Sequence, residues 1–408
     1  MSEEETGAVA ADAPQAAPEV AAEEMVAEAS AAPLEESEEE TNPLMEPSRQ
    51  WVSLPGSSCN FRVGHGNTER LGKDLKSSVG KPAKAALVFG ESCDTDLVQD
   101  IYYQLTDAGF RVGKGTIAEG AEARTLGAAE ALFGELSRLH ITSDDLVLVL
   151  GDADQLSLAL YVCGAWCAGT PVSAFPLDLE AAVCATVTPQ GLSVDGHRGM
   201  VKGRNSLKNV FVDFAHMDLS DTECRRRAFA TMVGTAVSDT QKAYEALYNR
   251  REELFAGDEV TMRDQLNESL RSRGRIVSST SVAVRQSLEY GLPFAEALRT
   301  LVPAEVPDST LLAEGLRFSA RVAVTEQEFS VDDMLSQDEL LESLGLGTVE
   351  CTLEPQAILD GMRRATFLRS NRFMLALPRS FGRVRLATVE DETLLQHLGA
   401  WCSQHESA

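Results

Sequence analysis

The sequence predicts an α/β chain, an N-terminal domain with a mostly parallel sheet followed by an α-helical domain. Three observations carry this. Short apolar runs alternate with amphipathic helical stretches up to residue 218, the pattern of parallel strands joined by helices. Beyond Leu219 the pattern is largely helical until about Ser370. The length of 408 residues and the 44% apolar content are enough for two or three domains with sizeable cores.

The elements follow in order. Residues 1–50 are rich in Ala, Glu and Pro, with no aromatic residue before Trp51. Such a segment buries too little apolar surface to offset its ordering entropy, so a disordered acidic tail is expected, with a partner-docking arm as the alternative. Asn60-Phe-Arg-Val63 alternates like a strand and turns at Gly64-His-Gly66. Ala85 to Phe89 is a short buried strand, and Asp96 to Asp107 an amphipathic helix ending near Gly109. Phe110-Arg-Val112 opens another strand, Leu126 to Leu139 forms a helix, and Leu146 to Leu150 is an apolar strand ending at Gly151. A helix from Leu156 to Ala168 precedes a strand from Pro171 to Phe175. Val210 to Asp213 is a further strand, and Phe373 to Pro378 a late one. These elements make a Rossmann-like domain over 51–218 and an α-rich domain over 219–408.

Charge and composition narrow the function. The formal net charge is −27, and the first 48 residues hold about half of it. That field repels phosphate backbones, and no basic patch is dense enough to suggest nucleic-acid binding. No apolar run reaches the ~18–20 residues that span a bilayer, and no secretory signal pattern is visible. The eight cysteines are scattered without a CxxC, which implies a reducing, cytoplasmic setting. Cys163 and Cys167 lie four apart on a predicted helix with no histidine nearby, a spacing that suits core packing.

The order of motifs resembles the dehydroquinate synthase family of sugar-phosphate cyclases. Phe61-Arg-Val-Gly64-His-Gly66 is similar to its opening strand and turn, and Asp107-Ala-Gly-Phe-Arg-Val112 to its "AGF-x-V" segment. Glu119-Gly-Ala-Glu-Ala-Arg-Thr-Leu126 is similar to "GExxKTL". Asp145 to Gly151 matches the strand before the nucleotide loop, Val210 to Asp213 the strand "VLID", and Leu377-Pro-Arg-Ser-Phe-Gly382 the late "LPxxIG". The resemblance implies the two-domain fold, NAD, a divalent metal and the shikimate-pathway reaction.

The motifs that carry that chemistry are altered. Where the family has "GGGVxGD", this chain reads Gly151-Asp152-Ala153-Asp154-Gln155-Leu156-Ser157. Glycines there let backbone N–H groups approach a pyrophosphate. Here two carboxylates stand in that place, as in an ordinary strand-to-helix turn capped by Asp152 or Asp154. The family's metal ligands, one glutamate and two histidines, align with Ala230, Leu292 and Asp308, and Val233 replaces a catalytic lysine. All six histidines lie outside residues 217–396, so no HxxxH pair exists. No metal site, no catalytic residue and no retained cofactor site are therefore expected. The resemblance leaves Arg198, Arg271 and Arg285 as candidate anion-binding residues, with Arg363 and Arg364 near a further basic motif. Glu289 and Glu296 stand close enough in sequence to neutralise Arg285 instead.

The resulting expectation is a noncatalytic paralogue of the shikimate-pathway synthase. One alternative is a diverged, metal-independent enzyme for an anionic sugar-like substrate. Another is an active, NAD-dependent 3-dehydroquinate synthase that eliminates phosphate and closes a ring. The expected partners are an anionic small molecule and, as a homodimer or heteromer, a second synthase-like chain; nucleic acid and membrane are not expected.

Overall fold

In the computed structural model, residues 47–78, 82–203, 205–367 and 370–406 are described. Residues 1–46 of the expected tail lie outside them. Its last residues, Ser48 to Gln50, instead open β1 (Ser48–Leu54), which turns back at Gly56 into β2 (Ser57–Gly64). Then come α1 (Asn67–Ser78), β3 (Lys84–Phe89), α2 (Thr95–Asp107), β4 (Arg111–Thr116), α3 (Leu126–Arg138), β5 (Leu146–Gly151), α4 (Ala153–Ala165) and β6 (Val172–Pro176). A small hairpin, β7 (Leu192–Val194) and β8 (His197–Val201), precedes β9 (Leu207–Asp213).

Among the described residues the main sheet has seven strands in the order β1-β2-β9-β6-β5-β3-β4. All pairs are parallel except β1 with β2. Strand β5 shows why the apolar runs form it. Leu146, Leu148 and Leu150 face one core with α1 and α2, while Val147 and Val149 face the other with α3 and α4. A strand covered on both faces is apolar throughout. Chain direction across the sheet reverses between β3 and β5, and the crevice beyond the carboxyl ends of such strands is where doubly wound folds take ligands.

The helical half follows: α5 (Thr222–Asp239), α6 (Gln241–Asn249), α7 (Arg251–Ala256), α8 (Glu259–Ser278), α9 (Val282–Arg285), α10 (Leu292–Arg299), α11 (Asp308–Glu326), α12 (Val331–Ser343) and α13 (Pro355–Phe367). A hairpin of β10 (Leu375–Pro378) and β11 (Val384–Ala387) precedes α14 (Asp391–His405). The expected late strand is thus present. Helix α8 lies flush on β1: a Cβ at Gly274 would meet Val52 Cγ1 at 2.6 Å and Ser53 O at 2.9 Å. Helices α10 and α11 meet just as closely, because a Cβ on Gly315 would overlap the Gly291 carbonyl. Among the described residues no helix is long and apolar enough to cross a membrane.

Candidate functional site

The crevice at the sheet's reversal begins at Gly90, after β3, and at Gly151, the end of β5. Asp152 caps α4. Its Oδ1 accepts the N–H groups of Asp154 and Gln155 at 2.9 and 2.8 Å. The Asp152 N–H donates to Gln155 Oε1 at 3.0 Å, completing a capping box. Three of the N–H donors that this helix start would offer to an anion, those of Asp152, Asp154 and Gln155, are thereby taken up by the chain itself. The space is taken too. A Cβ at Gly151 would meet Gln155 Oε1 at 2.5 Å, and one at Gly90 would overlap Glu119 and Gln155. Glu119 is fixed there by the Ser92 N–H and hydroxyl, which donate to Oε1 at 2.8 and 2.6 Å. The residues present at this turn do not fit a dinucleotide pyrophosphate.

Between the sheet-bearing and helical halves lies a cluster of ion pairs. From the sheet side, Arg124 approaches Asp154 at 3.6 Å and Arg198, on β8, approaches Asp308 at 3.8 Å. From the helical side, Arg227 on α5 reaches Glu180 at 2.7 Å. Arg299, at the end of α10, holds Glu296 at 2.7 Å and Asp308 at 2.8 Å. Four guanidinium groups thus face four carboxylates, and the Glu180–Arg227 and Arg198–Asp308 pairs cross from one half to the other.

The electrostatics follow from burial and pairing. Burial raises Asp154, opposed mainly by Arg124. Burial lifts the Asp178 carboxyl to about 6, against the Ala181 N–H that donates to it at 2.7 Å. Burial also raises Glu180, with Arg227 opposing. Asp308 is held low: burial would raise it, but the Arg299 hydrogen bond and charge outweigh that. Arg198 is lowered by burial and by the like charge of Arg299.

The positions that the resemblance aligns with metal ligands are occupied differently. Ala230 and Leu292 offer no donor atom, and the Asp308 carboxylate is engaged by Arg299 and Arg198. One oxygen ligand beside two alkyl groups does not close a coordination sphere. Among the described residues no group of three or more His, Cys, Asp or Glu side chains is placed to hold a metal ion.

The three candidate arginines sit in different surroundings. Arg198 belongs to the cluster. Arg271, exposed on α8, donates to Gln50 Oε1 at 3.0 Å and approaches Glu268 at 3.4 Å. Arg285, also exposed, donates to the Ser279 and Thr280 carbonyls at 2.6 and 3.2 Å, at the C-terminus of α8. Glu296, expected beside Arg285, pairs with Arg299, and Arg363 pairs with Asp391. Sequence reasoning missed Arg227, Arg299 and Arg273. Arg273 is buried and spans both halves, donating to Thr188 Oγ1 at 2.7 Å, to Thr235 Oγ1 at 2.8 Å and to the Cys184 sulfur at 3.7 Å. It lies two residues from Arg271, and on a helix that is ~200° of rotation. The available signal was the apolar phase of α8, which places Leu266, Leu270, Arg273 and Val277 on one buried stripe.

No family model matches the chain. It is similar to the 3-dehydroquinate synthase of Prochlorococcus marinus (strain MIT 9515), 20% identical over 345 residues, covering 82% of this chain and 94% of that protein. The synthase of Pseudarthrobacter chlorophenolicus is 23% identical over 313 residues, covering 74% and 83%. Among solved structures, 2-deoxy-scyllo-inosose synthase complexed with carbaglucose-6-phosphate, NAD+ and Co2+ superposes with a TM-score of 0.75 at 13% identity, covering 86% of this chain and 99% of that one. The 2-epi-5-epi-valiolone synthase of Streptomyces hygroscopicus, with NAD+ and Zn2+ bound, gives 0.71 at 11% identity, covering 87% and 99%.

Proposed function

We propose that this chain, which belongs to the dehydroquinate synthase-like superfamily of sugar-phosphate cyclases, is a noncatalytic paralogue that keeps the scaffold and fills its cofactor places with its own side chains. The observation that carries the reading is Asp308. Its carboxylate is committed to Arg299 at 2.8 Å, while the other two aligned positions are the apolar Ala230 and Leu292. An NAD-dependent elimination needs a hydride carrier and a Lewis acid. The capped turn at Asp152 and the arginine-bound Asp308 leave donors for neither. The role that remains is binding, to a second synthase-like chain or to an anionic small molecule.

The test is made on the purified full chain. Metal content, NAD+ titration by calorimetry and phosphate release from the synthase substrate are measured together. No stoichiometric zinc, cobalt or manganese, no NAD+ heat and no phosphate release are expected. One tightly held divalent ion per chain, or a clear rise in Tm with NAD+, sinks the proposal, since a ligand bound only to the native state stabilises it by linkage. The alternative of a metal-independent enzyme draws on Arg198, whose side chain is 39% exposed. It gains if millimolar phosphate raises Tm beyond equal ionic strength of chloride and Arg198→Ala abolishes the rise.

A further inference from the structure

In a chain with 63 acidic and 36 basic residues, positions 361–389 contain seven arginines and neither Asp nor Glu. At the chain's average density a stretch of that length carries about four acids, so the run is a charge block rather than a mixed surface. Its end forms the β10–β11 hairpin, where the Arg379 N–H donates to the Arg383 carbonyl at 2.9 Å and Leu377 pairs with Arg385. Arg379, Arg383 and Arg385 are exposed at this turn.

Most arginines described above are satisfied by carboxylates. Here the pattern differs. Arg379 donates to Gln327 Oε1 at 3.2 Å, Arg385 to its neighbour's carbonyl at 3.2 Å, and Arg285, beside the hairpin on α9, to carbonyls. Among the described residues none of Arg285, Arg379, Arg383 and Arg385 has a carboxylate partner. The hairpin and α8 enclose a cavity of about 200 Å³ lined by Arg275, Arg385, Ser279, Ser287 and Val284. Asp239 is the one acid on its wall, and Arg275 already holds it. Of the valines of α9, Val284 on the cavity wall is 37% exposed and Val282, two residues before it, 56%.

We infer that this arginine face docks a short acidic segment of a second protein. Clustered guanidinium groups repel one another and gain from an external polyanion, and their fork geometry matches carboxylates in bidentate pairs. The exposed valines suit the side chains of a peptide. No aromatic side chain lines the cavity, and the half-exposed Phe367 and its neighbour Phe373 lie earlier in the run, before β10. A long polyanion leaving the face meets the acidic remainder of a chain of net charge −27, whereas a short segment spans the face alone. The inference does not depend on the noncatalytic reading, because the face shares no residue with the ion-pair cluster.

The test is fluorescence anisotropy of a fluorescein-labelled decaglutamate peptide with the full chain. Binding is expected at low salt, weakening as salt rises. Arg383→Glu with Arg385→Glu weakens it by about tenfold or more. The control, Lys73→Glu with Arg111→Glu, makes the same charge change on the sheet-bearing half and stays within about twofold. Absence of binding, an unaffected hairpin variant, or an equal loss in the control overturns the proposal. A single-stranded oligonucleotide of equal charge binding as tightly as the peptide also overturns it, because the face would then be a general polyanion surface.

Discussion

Replacing Asp308 by Asn tests the centre of the ion-pair cluster. The amide keeps the shape of the carboxylate and removes its charge. Asp308 accepts Arg299 Nε at 2.8 Å and faces Arg198 at 3.8 Å, with its side chain 25% exposed. Two charges ~4 Å apart interact by about 4 kcal/mol at an effective dielectric near 20. Removing one partner of a buried pair costs ~3–5 kcal/mol. Glu296 remains on Arg299 and water reaches the site in part, so the net loss is nearer ~2 kcal/mol at pH 7. In a body of this size that lowers Tm by about 3 °C. The pH dependence has a definite sign. Arg299, acting against burial, holds the Asp308 carboxyl below its ordinary value. Its contribution is therefore present above the unfolded value of ~3.9 and is lost as pH falls through the folded value. Scanning calorimetry of both proteins should show the full deficit at pH 7 and a smaller one at pH 3. A deficit below ~0.5 kcal/mol at pH 7, or one unchanged at pH 3, refutes the reasoning.

Asp152→Ala removes the acceptor for two N–H groups at the start of α4 and should cost ~1 kcal/mol in urea denaturation. Gly315→Ala forces a methyl group into the Gly291 carbonyl. It should destabilise by ~2–3 kcal/mol or more, and a neutral result would show that α10 and α11 do not cross where described. His405 lies 3.4 Å from the buried Glu314. Burial lowers its pKa, but the hydrogen bond and charge of Glu314 outweigh burial and raise it. Its stabilisation is then full below ~6.5 and fades as pH rises through the folded value. A stability profile from pH 6 to 8.5 should fall more steeply in the parent than in His405→Gln.

The strands of the parallel sheet were legible because double-sided burial writes itself as an apolar run, as in Leu146 to Leu150. The capped turn at Asp152 was legible from chemistry alone. Strand β1 was not. It is an edge strand with Trp51 exposed at 61%, and its Ser, Arg and Gln residues look like the segment before it. The Arg299–Asp308 pair joins the end of one helix to the start of the next across a loop, and no periodicity reports such a contact. The motif points to the neighbourhood of Arg271 and Arg273, and the helical phase, which the motif does not carry, decides that Arg273 is the one turned inward. The unpaired arginines of the hairpin were visible as letters, but whether each had a carboxylate neighbour depends on the packing of distant segments.

Arg273 binds Thr188 and Cys184 on one side and Thr235 on the other. Either half can loosen only by stripping a buried guanidinium of some of its partners, so their melting is tied together. Two architectures, one built on a parallel sheet and the other on packed helices, then share a single cooperative transition. A lesion in either should lower the same calorimetric peak instead of splitting it in two.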